Sequence, residues 1–245
     1  MGMETRSQRR ASKGGSGSEG TWETGDYGYS GRGSVLGGIL SDETVVELTR
    51  AASTTTMEVK FGTHPRIAEF FCMLTSPAYA APCSLWLRAQ ASSYTAEIHV
   101  ALTCCMLTAL WSTVYHARLS KLFSSLDAGQ AVLTFYSVSL LLLRINSLAV
   151  HLAVLGAVAA LFVYSWRKTA TLALVLTSFV VPPSMYILAS HGEFAANIAF
   201  AAGVAAFLLD RLGYAPLHSL WHLLVSYTCL RCCALAVAFH EGTAP

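Results

Sequence analysis

Charged residues are scarce in this chain: they make up 12% of 245 residues, against roughly 25% in ordinary soluble domains, while 54% are hydrophobic. Such a deficit excludes an ordinary water-solvated surface and predicts lipid as the solvent. The formal net charge of +2 is too small for a nucleic-acid-binding surface. No apolar stretch of signal-peptide length occurs before about residue 60, so no secretory leader is expected. Arg6 stands where a myristoylation signal needs Ser or Thr, which argues against that anchor. Cysteine is present seven times, an odd number, with Cys104-Cys105 and Cys232-Cys233 inside apolar runs. A disulfide framework is therefore not expected, and small buried apolar residues are. Cys229, Cys232 and Cys233 have no second CxxC to complete a zinc site, and palmitoylation near a membrane end is the better use for them.

Long apolar runs are what the chain does have. Residues 1–55 are rich in Gly, Ser, Thr and charge, cannot bury enough surface to offset chain entropy, and read as a disordered tail. One short helix is expected there, near 41–52, with Thr44 as a cap and Glu47 three residues on. Residues 56–240 form the second unit. Windows of roughly twenty apolar residues, the length that crosses about 30 Å of hydrocarbon, fit seven times. They cover about 66–86, 97–117, 126–144, 147–165, 169–190, 193–211 and 216–238. The fold class expected is all-α, a seven-helix transmembrane bundle, with Pro182-Pro183 kinking the fifth span. Arg118, Lys121, Arg167, Lys168 and Arg211 follow spans two, four and six, on the side of the N-terminal tail. The positive-inside rule then places the N-terminus in the cytosol of a multi-pass protein of the endoplasmic reticulum, Golgi or plasma membrane.

Ionisable groups inside spans are costly, and each is a functional candidate. Span two ends in Ser112-Thr113-Val114-Tyr115-His116, with the hydroxyl and imidazole four apart on one helix face. Span three opens on Leu126-Asp127, and span seven on His218-Ser219-Leu220-Trp221-His222. The span count puts all five groups at one depth. Three histidines from two helices match a catalytic zinc pattern with an open fourth position. Asp127 could orient a ligand or accept the water's proton, and Ser112 could donate to an oxyanion. His99, His151 and His191 fall at span ends on the opposite side and read as interfacial imidazoles. Asp210 and Arg211 read as interfacial as well. Trp86, Trp111, Trp166 and Trp221 read as an aromatic belt, Trp221 alternatively as the wall of a lipid pocket.

At these residues the chain resembles the alkaline ceramidases. More widely it is similar to the seven-helix superfamily of metal hydrolases that also holds the progestin and adiponectin receptors, lipid-remodelling Per-type proteins and the myomaker-like group. The resemblance is carried by SxxxH (Ser112, His116), by Leu126-Asp127, by HxxxH (His218, His222) and by Ile67-Ala68-Glu69-Phe70. It implies Zn2+ bound by His116, His218 and His222, water activated by Asp127, and an oxyanion steadied by Ser112. The substrate implied is a ceramide-like membrane lipid, cleaved to a fatty acid and a sphingoid base. Ceramidases also carry an acidic, tryptophan-containing segment that helps bind calcium. Here the stretch near Thr55 to His64 has only Glu58. The short link from Arg211 to Pro216 and the HSxxH form followed by Ser226 look rather like the myomaker-like proteins. The competing expectations are a non-catalytic receptor or membrane-remodelling protein of the same fold, and a zinc-free transporter. A complete water-handling pair beside the histidines favours catalysis over the first, and the lack of an inverted repeat disfavours the second.

Overall fold

The computed structural model describes residues 42–52, 55–88 and 91–243. The tail expected to be disordered lies, up to residue 41, outside them. The described residues are helical, with no strand among them beyond isolated bridges at Ala51–Ser120 and His64–Ile67. A short amphipathic helix, α1 (Asp42–Thr49), comes first, where the sequence predicts one. It begins two residues before Thr44, which therefore lies in the first turn and is not the cap. Glu47 of α1 pairs with Lys121 and Arg167, so the helix belongs to the compact unit that starts at Asp42.

The first span starts as α2 (Phe70–Thr75) and continues as a twelve-residue 3-10 segment, Ser76–Leu87. Pro77 and Pro82 remove backbone donors here, and the tighter helix is the local answer. A 3-10 turn rises about 2.0 Å per residue against 1.5 Å in an α-helix, so eighteen residues reach about 33 Å, enough for the hydrocarbon. Five further helices follow with the length and composition to cross: α3 (Ala96–Arg118), α4 (Lys121–Leu142), α6 (Thr169–Ser190), α7 (Phe194–Arg211) and α8 (His218–Glu241). Six spans of this kind mark a multi-pass membrane protein. The fourth expected span, α5 (Leu148–Tyr164), is apolar but has 17 residues, about 25 Å of helix. α6 runs through Pro182 and Pro183 as one continuous helix.

Burial separates the inner helices from the outer ones. About half of each apolar window of α3, α4 and α8 is buried inside the protein, but only 11% of that of α6. Large apolar side chains such as Phe179, Leu174, Tyr186 and Ile198 point outward. That arrangement suits lipid, because hydrocarbon imposes no cost on an exposed apolar face. The first span packs against both α3 and α8, α3 against α4, and α8 against α7. Gly203 of α7 permits the last contact, since a Cβ there would lie 3.3 Å from atoms of Leu224 and Trp221. Trp221 packs on Phe200 and Phe207 between α7 and α8.

All seven cysteines are free, and six of them, including Cys229, Cys232 and Cys233, are buried. That agrees with the packing role and leaves the three on α8 inaccessible to acylation. His151 also departs from expectation. It is fully buried, its Nε2–H donating to the Ile145 carbonyl at 2.9 Å, and does not face water.

Candidate metal centre

The α3–α4 corner is tight, with Leu119 closing α3 in the left-handed region at φ 50°. The antiparallel pair so formed brings Asp127, in the second turn of α4, back beside Ser112 and toward His116. On the other side the first span lies between α3 and α8. Ser76 there bridges the two helices: its hydroxyl is 3.0 Å from Ser112 Oγ and 3.4 Å from His222 Nδ1.

The imidazoles of His116, His218 and His222 converge, with ring centroids 4.9–5.3 Å apart. Their ligand nitrogens lie within 4.8 Å of one another, so the three could hold a metal ion. His116 and His222 are essentially unexposed, and His218 is half-buried.

Tautomers follow from the partners. His116 Nδ1 is 2.6 Å from Glu69 Oε2, and a carboxylate accepts, so Nδ1–H donates. The lone pair is then on Nε2, which is buried and has no hydrogen-bond partner. His222 Nδ1 lies 3.2 Å from the Cys72 carbonyl and 3.0 Å from Thr75 Oγ1. A carbonyl can only accept, so here too Nδ1–H donates and Nε2 is the free ligand atom. His218 Nδ1 is buried without a hydrogen-bond partner, 4.0 Å from Asp210 Oδ2. Buried polar atoms without partners are rare. Two such atoms in a group of three converging histidines, the third with a tautomer that also frees a nitrogen, fit a metal ion of the imidazole-binding kind.

A second triplet, Glu69, Cys72 and His116, also has ligand atoms close enough for a metal. Glu69, however, is fully engaged. One oxygen accepts from His116 Nδ1–H, and the other accepts from Thr56 N–H and Oγ1–H, each at 2.8 Å, and from Lys60. It is the orienting carboxylate behind a histidine, the usual partner of a metal-bound imidazole.

Glu69 and the two residues on α2, Cys72 and Thr75, are what reading the sequence for a site missed. The IAEF match drew attention to Glu69, but its partner is 47 residues away and no local spacing announces the pair. Asp210, read along the sequence as interfacial, is drawn into the fold. It is 3% exposed, accepts from Met57 N–H at 3.2 Å and lies 4.0 Å from His218 Nδ1, so it turns into the protein beside the trio. His99 takes Trp86 Nε1–H at 2.9 Å, and His191 bonds within its own helix end. Neither joins the trio. No protein-family model matches the chain, and a search of curated proteins finds no similar sequence.

Proposed function

We propose that the chain is a zinc-dependent intramembrane hydrolase that cleaves the amide bond of a ceramide-like lipid. The observation that carries the reading is the buried, unpartnered Nε2 of His116 in a group of three imidazoles whose ligand nitrogens lie within 4.8 Å of one another, with Asp127 interacting with both His116 and Ser112. His116, His218 and His222 would hold the ion. Zinc in such a site lowers the pKa of water toward neutrality and polarises a carbonyl. Asp127 takes the attacking water's proton and returns it to the departing amine, so that amide and water give a carboxylic acid and an amine. Ser112 donates to the oxygen on which negative charge develops. Ser76 holds the Ser112 hydroxyl in place from the first span. In this reading the positive-inside rule supports a cytosolic N-terminal side, and with it a site that opens toward the cytosol.

A structural zinc would be the alternative, and Cys72 with Glu69 beside His116 is the feature that favours it. Both Glu69 oxygens are committed to other donors, which weighs for three ligands and an open position. The deciding experiment is elemental analysis of the detergent-purified protein, His116→Ala and the double variant His218→Ala, His222→Ala. About one zinc per chain, lost in the variants, is expected of a three-histidine site. Release of fatty acid from ceramides in mixed micelles should disappear with it. Well-folded wild type without zinc would sink the mechanism.

A further inference from the structure

The segment that leads into the first span carries a cation of its own. Lys60 Nζ donates to the Thr56 carbonyl at 2.7 Å, to the Glu58 carbonyl at 3.0 Å and to Glu69 Oε1. An ammonium has three N–H donors and no acceptor, so these three bonds use its whole capacity. Two main-chain carbonyls and a carboxylate are also ligands that a hard metal cation takes. The cage is thus a cation site built from a loop, and a side chain of the same loop fills it.

What the cage holds matters because of the other end of Glu69. Lys60 and Thr56 together fix Oε1, and Oε2 is left aimed at His116 Nδ1. The other carboxylate of the segment is not free to join. Glu58 accepts from the backbone N–H of Phe71 at 2.7 Å and of Cys72 at 3.0 Å, which caps the open N-terminus of α2. Glu69 is completely buried, while the Lys60 side chain is 30% exposed, so the ammonium enters the cage from the solvent side.

We infer that Lys60 is a tethered cation: it occupies a cation site formed by Thr56, Glu58 and Glu69, and positions Glu69, and through it His116, without a soluble ion. The inference rests on the metal-centre reading above. Lys60 is a positioning residue in this scheme, since it acts through Glu69 and does not touch the reacting atoms.

The test follows zinc retention, not turnover. Wild type, Lys60→Gln and Lys60→Gly are purified in detergent, checked for helicity and monodispersity, and challenged with a colorimetric zinc chelator. Loss of zinc should be about ten- to a hundredfold faster in both variants, the usual effect of disturbing the partner of a ligand histidine. Millimolar propylammonium should restore retention to Lys60→Gly, whose vacated cage it fits. Wild type needs no variant to be informative: its retention should be indifferent to millimolar calcium and to a calcium chelator. Zinc-loaded variants that release metal at the wild-type rate would overturn the inference alone, and so would calcium-dependent retention in wild type. Wild type without zinc would overturn the metal-centre reading and this one with it.

Discussion

Replacing Glu69 by Gln tests the centre at its least obvious point. The carboxylate is fully buried and faces donors on both sides: His116 Nδ1–H at one oxygen, Thr56 and Lys60 at the other. A Gln amide of the same shape must present its NH2 to one of them. If the NH2 faces Thr56 and Lys60, buried donors meet a donor, at a cost of about 1–3 kcal/mol. If it faces His116, Nδ1 must accept, and the ring proton moves to Nε2, where the metal would bind. The second orientation takes the ligand atom from the metal, and the first leaves His116 a neutral amide in place of the carboxylate that raises its basicity, so zinc affinity should fall about ten- to a hundredfold, or about 1.4–2.7 kcal/mol. The assay is competition with a chelator of known affinity, with thermal unfolding in detergent run in parallel. A Glu69→Gln protein that binds zinc as wild type does, while His116→Ala does not bind, would refute the tautomer argument and leave Glu69 a packing group.

Asp127→Asn should retain zinc but lose about 10²–10⁴-fold in hydrolysis, the usual contribution of a general base, as read from fatty-acid release; equal loss of zinc would make Asp127 structural. Gly203→Val pushes into Leu224 and Trp221 and should separate α7 from α8, lowering stability by about 1–3 kcal/mol in thermal unfolding of the detergent-solubilised protein. Gly203→Ala, with contacts of 3.3–3.4 Å to relieve, should cost less. The Lys121 hydrogen bond and the charges of Lys121 and Arg167 hold the Glu47 carboxyl below its ordinary value of 4.5. A depressed folded value means that the contact of α1 with α4 is fully present above about 4.5 and is lost as pH falls through the lower folded value. The protection of amides 42–49 relative to their intrinsic exchange should accordingly fall at acid pH, and should already be lower near neutrality in Glu47→Gln; unchanged protection would mean that the pair does not hold the helix.

Much of this protein was legible along the chain because the forces concerned are local. Scarce charge and long apolar runs specify membrane-crossing helices one segment at a time, and an i, i+4 spacing puts His218 and His222, or Ser112 and His116, on one face of whichever helix forms. Counting seven spans gave five polar groups one expected depth, and of these the fold brings the three histidines together. Helical conformation in the first span was legible, its 3-10 character was not, because that depends on how Pro77 and Pro82 are accommodated between α3 and α8. The partners of the histidines were decided only by packing. Glu69 reaches His116, Cys72 and Thr75 reach His222, and Asp210 approaches His218, across separations that no periodicity links. Buried polar atoms must find partners wherever the fold brings them, so the residues that tune a site inside a membrane are fixed by tertiary neighbours, while the helices that carry them are fixed by composition.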